Sequence, residues 1–440
     1  MFKKTSAEAG RPRRDVPADR SRPAGQGPSA RRPLRVLMPR GLAGLAAQSG
    51  IGAAIRHQEK AVRSLGHEVV TNPLQPFDVV HLNTPFPDTP LLAHWARLRR
   101  RPALVWAHST EDDFRDSFPG ANTLAPTFRR WIAHLYRRGD AVVTPSEYSR
   151  DLISAPKYGI SAPIHVLSNG VDTSFFRPDP GARDRLREQL GLDADAKVVV
   201  SVGMQLVRKG IVDWVEVARA MPEVTFVWYG RTDERMLTAE VRRALAAAPA
   251  NARFPGYITA VELREAYCGA DAFCFLTKEE TEGIVLWEAL ACETPTLVRA
   301  IPIYRDRMPD GVLTHQVAGE GPGFAADVVA RLSALLDGEL TDLTAAGRSA
   351  AEEVDIHRVA QKLQEIYRLT GVQPHGRDAA FREAEARSTE ARSTKTRSSR
   401  SRSSRSRGAE GSELTAGAAD ATAPVHPRHG AADARLDAAH

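Results

Sequence analysis

From Leu34 onward, short apolar runs alternate with longer amphipathic stretches, and the alternation occurs twice. In the first round, residues 35–38, 78–82, 103–107 and 141–144 read as strands. A loop ending Ser49-Gly50-Ile51-Gly52 and a helix over about 53–65 follow the first of them. In the second round, strands at 198–202, 225–228, 272–276 and 296–298 alternate with helices near 211–220, 235–247, 261–268 and 284–292. Strands that alternate with helices are joined by crossovers rather than hairpins. They therefore pair in parallel, and their sheets are covered on both faces. The expected fold class is α/β, with two facing Rossmann-like domains whose strand C-termini look into a cleft between them. The expected division is 34–178 for the first domain and 179–354 for the second, with a linker near 176–182 punctuated by Pro178 and Pro180. A last helix over about 355–369, within a 355–373 segment, is long enough to pack back across the boundary.

Charge separates this core from its flanks. Residues 1–33 carry nine Lys or Arg against three acids, and residues 374–440 carry twelve against nine. Of the chain's 60 basic and 54 acidic residues, 39 and 42 remain in 34–373, so the net +6 of the whole becomes −3 in the middle. A nucleic-acid-binding core is not indicated. Both flanks read as disordered basic tails. The first is rich in Arg, Pro, Gly and Ala, and the second holds an Arg/Ser run over 397–407 that cannot bury enough apolar surface to order itself. The first tail has no apolar stretch after its basic residues, which argues against a secretory signal. No segment approaches the roughly 18 apolar residues of a membrane span. Cys268, Cys274 and Cys292 show neither a disulfide framework nor metal-ligand spacing, and read as buried thiols of a reducing cytoplasm.

One run carries chemistry. Glu280 and Glu288 bracket Thr281-Glu282-Gly283-Ile284-Val285-Leu286-Trp287 between a strand and a helix entered at Gly283. The helix N-terminus presents unpaired N–H groups and a partial positive charge, which suits a phosphate. One carboxylate can then take sugar hydroxyls and the other ribose hydroxyls, on either side of a diphosphate. A solvated loop acid beside a solvated helix acid is the alternative.

The order of several pieces resembles family 4 of the retaining glycosyltransferases, which have the GT-B fold. The resemblance spans about 34–370. It rests on Pro145-Ser146-Glu147-Tyr148-Ser149, Ser168-Asn169-Gly170-Val171-Asp172, Phe176-Arg177-Pro178, Val202-Gly203 through Arg208-Lys209-Gly210, Gly230, Phe254-Pro255-Gly256-Tyr257, and Glu280 to Glu288 followed by Ala289-Leu290-Ala291 and Pro295. Within that family, Ser49 to Gly52, His108 to Phe118 and Glu280 to Val285 are similar to Gram-positive glycolipid synthases that extend glucosyl-diacylglycerol.

The resemblance implies roles. Lys209 binds the diphosphate. Arg208 either stands in for the Arg that the family usually has after the glycine, where this chain has Met204, or is solvated. Gly50, Gly52, Gly203 and Gly230 let the backbone approach the donor. His108 positions the donor sugar, the alternative being a structural histidine. Glu280 binds donor hydroxyls with help from the N–H groups of Glu282 and Gly283, and Glu288 binds the ribose. Glu282 stands where the family often has an aromatic residue. Glu111, Asp112 and Asp113 are the candidates for acceptor hydroxyls. No carboxylate pair is placed for double displacement, so front-face retention is expected, with His108, Lys209 and Glu280 as the catalytic set. No cofactor and no metal is expected. Asp193-Ala-Asp195 matches a metal pattern of another glycosyltransferase fold but falls in a polar turn before a strand.

Arg97, Arg99, Arg100 and Arg101 near Trp95 and Leu98, and Arg129, Arg130, Arg137 and Arg138 around Trp131, Leu135 and Tyr136, suit an anionic membrane face. They equally suit two amphipathic helices with solvated basic sides. The expected activity is hexose transfer from a nucleotide sugar, UDP-glucose or UDP-galactose, to a membrane glycolipid, by a cytoplasmic enzyme peripheral to the inner membrane face. A soluble acceptor (an inositol phosphate or small glycoside) and a catalytically idle sugar-nucleotide binder are the other readings.

Overall fold

The computed structural model describes residues 32–46 and 49–373. Apart from Arg32 and Pro33, the tails expected at 1–33 and 374–440 lie outside the described residues. Strands β1 (Arg35–Leu37), β2 (Glu68–Val70), β3 (Val79–Leu82), β4 (Ala103–Trp106), β5 (Ala141–Thr144) and β6 (Ile164–Val166) form one sheet in the order β2-β1-β3-β4-β5-β6. Strands β7 (Val198–Val202), β8 (Thr225–Tyr229), β9 (Ala252–Gly256), β10 (Ala272–Phe275), β11 (Thr296–Arg299) and β12 (His315–Val317) form a second, in the order β12-β11-β10-β7-β8-β9. Every pairing in both sheets is parallel.

Helices α1 (Gly50–Ser64), α2 (Asp88–Leu98), α3 (Glu111–Phe114), α4 (Ala121–Tyr136) and α5 (Glu147–Ser154) accompany the first sheet. Helices α6 (Ala182–Leu190), α7 (Ile211–Ala220), α8 (Ala239–Ala246), α9 (Ala260–Gly269), α10 (Ile284–Ala291), α11 (Pro302–Arg307), α12 (Phe324–Leu336) and α13 (Thr344–Glu353) accompany the second. The last helix, α14 (Ile356–Leu369), is started by the Asp355 carboxylate, which accepts the His357 N–H at 2.8 Å. It runs back to pack on α1.

Side chains alternate across each strand, so successive residues feed opposite cores. In the second sheet Val198, Val200, Phe273 and Phe275 pack with Tyr267 on one side, while Val199, Phe226, Cys274 and Leu297 pack with Trp214 on the other. In the first, Leu37, Val80 and Val105 meet Ile132, and Val36, Val79 and Leu104 meet Leu363 and Ile366 of α14. The return helix is thus part of the first domain's core. The Tyr367 hydroxyl, 2.9 Å from His81 Nε2, fastens it there.

Both sheets wind outward in two directions, and the reversals fall between β1 and β3 and between β7 and β10. Loops leaving neighbouring strands at a reversal part to opposite faces and open a crevice at the strand C-termini. Into those crevices go the segments after β1, β4, β7 and β10, which carry most of the residues singled out from sequence.

Two expectations about local structure are corrected. Gly50 and Gly52 are not in a loop: Ser49 takes the extended conformation of an N-cap and α1 begins at Gly50. Strands β2, β6 and β12 were not anticipated, and β9 only at its end through the resemblance of Phe254 to Tyr257; all four are the edges of their sheets. An edge strand is short and half covered, so it lacks the continuous apolar run of a central one. Pro255 sits in β9, where the sheet edge spares it a ladder donor.

At the far end of β7 from the crevice, Arg187 is buried. It donates to the carbonyls of Ala196 (3.1 Å), Arg183 (3.1 Å) and Gly269 (2.8 Å) and to Asp271 Oδ2 (2.7 Å), which also accepts the Val198 N–H at 2.6 Å. Removing one partner of a buried ion pair strands the other. Arg187→Met should therefore cost about 3–5 kcal/mol in chemical denaturation, with ligand affinity in the remaining folded protein unchanged.

Candidate active site in the interdomain cleft

The loop from β10 to α10 is the centre of the site. Lys209, leaving the β7 loop, pairs with Glu280 through Nζ and Oε1. Thr277 Oγ1 donates to the same oxygen at 3.0 Å. Burial lowers the Lys209 pKa, and the Glu280 carboxylate pulls it back up while Arg208 opposes. Gly283, the N-cap of α10, has φ +86°, and a Cβ there would run into the Tyr304 hydroxyl. That left-handed turn is what lets the loop bend into the helix. Among the described residues, no acceptor meets the N–H groups of Glu282 and Gly283. Lys209, Glu280 and the start of α10 are therefore brought together.

Gly203 and Gly230 lie side by side at the ends of β7 and β8. A Cβ on Gly230, at φ +112°, would strike the Gly203 carbonyl. The Gly203 N–H donates to Tyr229 O at 2.9 Å and that of Gly230 to Gly256 O at 2.7 Å, closing the floor of the crevice. Gly50 is different. A Cβ there would meet nothing within 4 Å among the described residues, so protein packing alone does not require glycine.

Glu288, on the second turn of α10, is 5% exposed, and its Oε2 accepts from the Tyr267 hydroxyl at 3.2 Å. Burial pushes its pKa up to about 8. His108, two residues beyond β4, is buried with Nε2 3.1 Å from Asn83 Oδ1 and 3.4 Å from Gln58 Nε2. Burial takes its pKa down to about 4, so at neutral pH it is an uncharged hydrogen-bonding group. Its carbonyl accepts from Thr281 Oγ1 at 3.3 Å, which joins the His108 loop to the glutamate loop.

Two acids, Glu111 and Asp113, are placed differently from the expectation, and the side chain of a third, Glu282, is bonded away from the donor. Glu282 does not turn its side chain to the donor crevice. Its carboxylate takes the Ser168 hydroxyl, the Asn169 N–H (2.9 Å) and Asn169 Nδ2 (2.7 Å), with Arg307 at 3.5 Å. The role read for Glu282 is left to its backbone N–H. Glu111 is not free for acceptor hydroxyls, because Arg115 (2.8 Å), Arg129 (3.0 Å) and Lys157 (3.3 Å) surround its carboxylate. Asp113 lies 3.0 Å from Arg208 Nη1. Of the acceptor candidates Glu111, Asp112 and Asp113, only Asp112 has no side-chain partner among the described residues. Arg208 is accordingly not a solvated surface charge. It also donates to Ser117 Oγ (3.1 Å) and the Glu279 carbonyl (3.0 Å).

Sequence reasoning missed Glu279. Its Oε2 accepts from Tyr148 of α5 at 3.1 Å, its Oε1 is buried with no partner among the described residues, and burial raises its pKa to about 7. Standing in an acidic run beside Glu280, it carried no signal of its own direction. The aromatics of the basic clusters are also corrected. Trp95 and Trp131 donate to the carbonyls of Pro73 (3.0 Å) and Pro85 (2.6 Å), and Leu135 and Tyr136 are buried. Asp193 and Asp195 are exposed in the turn before β7. Among the described residues no group of three His, Cys, Asp or Glu is arranged to hold a metal ion, and no helix is long and apolar enough to cross a membrane.

Two parallel-sheet domains facing across a crevice, with a largely shielded Lys–Glu pair beside a helix N-terminus and a second glutamate one turn on, have the GT-B architecture of glycosyltransferases. Residues 16–175 match the Glycosyltransferase Family 4 pattern and residues 182–352 match Glycosyl transferases group 1. The chain is 33% identical over 324 residues to the processive diacylglycerol alpha-glucosyltransferase of Acholeplasma laidlawii, covering 73% of this chain and 93% of that protein. It is 28% identical to the alpha-galactosylglucosyldiacylglycerol synthase of Streptococcus pneumoniae over 43% of this chain and 54% of that one. The chain belongs to glycosyltransferase family 4. In fold it is similar to the sucrose-phosphate synthase of Thermosynechococcus elongatus (TM-score 0.62, 18% identity, 77% of this chain and 99% of that one). It is likewise similar to Anabaena HepE in complex with UDP and glucose (TM-score 0.60, 16% identity, 76% and 99%).

Glu288 makes the site's pH behaviour testable. The folded protein holds this proton more tightly than the unfolded chain does. The associated stability is complete below the ordinary Glu pKa and is lost as pH rises through about 8. Glu279 acts in the same direction through about 7. His57, His81 and His108, held down by burial at about 4, 3 and 4, act in the opposite sense at acid pH. The readout is therefore the difference from a Glu288→Gln protein: the melting temperature of the wild type should fall relative to that of the variant as pH rises through about 8.

Proposed function

We propose that this family 4 enzyme is a retaining hexosyltransferase that moves glucose or galactose from its UDP derivative to a membrane glycolipid such as glucosyl-diacylglycerol, at the cytoplasmic face of the membrane. The observation that carries the reading is the buried Lys209–Glu280 pair at the start of α10. It occurs in a chain that is similar along nearly its whole relative to a diacylglycerol glucosyltransferase. Lys209 and the α10 N-terminus neutralise the departing diphosphate without a metal. Glu280 and the N–H groups of Glu282 and Gly283 hold the donor sugar, Glu288 the ribose, and uncharged His108 the sugar near its anomeric carbon. The acceptor oxygen attacks that carbon from the face the phosphate leaves. The bond to the phosphate oxygen breaks as the new glycosidic bond forms, and the acceptor proton passes to the departing phosphate.

Support for the membrane comes from the first domain's surface. Leu91 and Leu98, seven residues apart on one side of α2, are 71% and 64% exposed, and Leu124 on α4 is 54% exposed. Arg97, Arg100, Arg130, Arg137 and Arg138 are exposed on or beside these helices. Apolar tips among basic side chains suit an anionic leaflet, each charge contributing about 1 kcal/mol.

A donor panel incubated with mixed membrane lipids, and in parallel with inositol phosphate and small glycosides, tests the reading. Nucleoside diphosphate release and the anomeric configuration of the product are followed. Release dependent on the glycolipid, with an axial product linkage from an axial donor, is expected. Turnover with the soluble acceptors alone would move the acceptor class. Glu280→Ala and Lys209→Ala should each lower kcat by about 10²–10³-fold, and activity that survives both overturns the site. Flotation with anionic vesicles should be strong at low salt and weaken as salt screens the arginines; no binding at low salt would sink the membrane reading.

A further inference from the structure

Lys209, read as the diphosphate ligand, and its neighbour Arg208, the candidate second one, are both engaged by carboxylates of the protein. Glu280, the partner of Lys209, lies on the same domain as the lysine. Asp113, the partner of Arg208, does not. It sits on α3 of the first domain, with Oδ1 3.0 Å from Arg208 Nη1. Two further bonds cross at this point: Arg208 Nε donates to Ser117 Oγ at 3.1 Å, and the Arg208 N–H to the Asp116 carbonyl at 3.1 Å. Both partners of the pair are largely shielded, with side chains 11% and 19% exposed, so salt screens them little. Burial raises the Asp113 pKa, Arg208 and Lys209 pull it down, and Glu280 pushes it up, which places the four groups in one electrostatic cluster. Each of the two cations is matched by one carboxylate, and Glu279 stands beside them with its pKa raised to about 7, chiefly by burial and further by Asp113, Asp112 and Glu280. A diphosphate added to them brings an excess of negative charge, which release of a carboxylate from its cation relieves.

We propose that Asp113 occupies Arg208 in place of the donor diphosphate and, once the diphosphate displaces it, is released to bind an acceptor hydroxyl. This rests on the nucleotide-sugar reading above. The consequence is an order of binding: the acceptor ligand is withheld until the donor is in place. The cost of breaking the Asp113–Arg208 pair is subtracted from donor affinity, as for any ligand that must first shift an internal equilibrium.

Calorimetric titration of the full chain with UDP, GDP and uridine, wild type against Asp113→Asn, tests this. The asparagine removes the charge and keeps the shape. Roughly ten-fold tighter diphosphate binding is expected, with uridine affinity unchanged and the KM for glucosyl-diacylglycerol in mixed micelles raised. Ser117→Ala, which loosens Arg208 without altering charge, should shift diphosphate affinity the same way by less. A structural tie between the domains predicts the opposite sign. Equal or weaker diphosphate binding by Asp113→Asn at an unchanged melting temperature overturns the proposal. If Asp113→Asn does not fold, a Ser117→Ala protein with unchanged or weaker diphosphate affinity does so. Failure of the wild type to bind UDP or GDP would instead remove the nucleotide reading beneath it.

Discussion

A buried ammonium must find a counter-charge, and Lys209 finds it in Glu280. The pair is possible because β7 and β10, 70 residues apart along the chain, are hydrogen-bonded neighbours at the sheet's reversal, with Val199 opposite Ala272. The loops that leave them start side by side, one carrying the lysine and the other the glutamate. Thr277 holds Glu280 from its own loop, and the left-handed Gly283 then turns the chain into α10, which sets the depth of Glu288. Replacing either charge leaves the other shielded and unpaired, so the pair ties the loop after β10 to the loop after β7.

Central strands were legible in the sequence because burial on both faces demands an unbroken apolar run, as in Val198 to Val200 or Ala272 to Leu276. The edge strands carry no such demand. In the site, the lysine, the glutamate pair and the helix start were legible because loop, cap and helix are local in the chain. The acids were not. Glu111, Asp113 and Glu282 are alike in type, yet one is enclosed by three cations, one pairs with an arginine of the other domain, and one takes the linker's amides. Spacing says that an acid is present; only the fold says which cation or amide stands opposite it.

Glu282 shows how far such a partner can reach. Its carboxylate binds Ser168 and Asn169, which follow β6 and lead from the first domain into the second. Buried with those donors satisfied, it cannot move without the linker. One residue earlier the Thr281 carbonyl accepts from Ser146 at 2.7 Å, and Arg307 of α11 donates to the Pro145 carbonyl at 3.1 Å. The glutamate loop is therefore bonded on one flank to the linker and on the other to the start of α5. An aromatic residue at position 282 could not accept the three hydrogen bonds that Ser168 and Asn169 donate. In this chain the position of the donor loop and that of the segment leading out of the first domain are tied together. A ligand that orders one must order the other, because the two share buried hydrogen bonds that neither can leave unpaired.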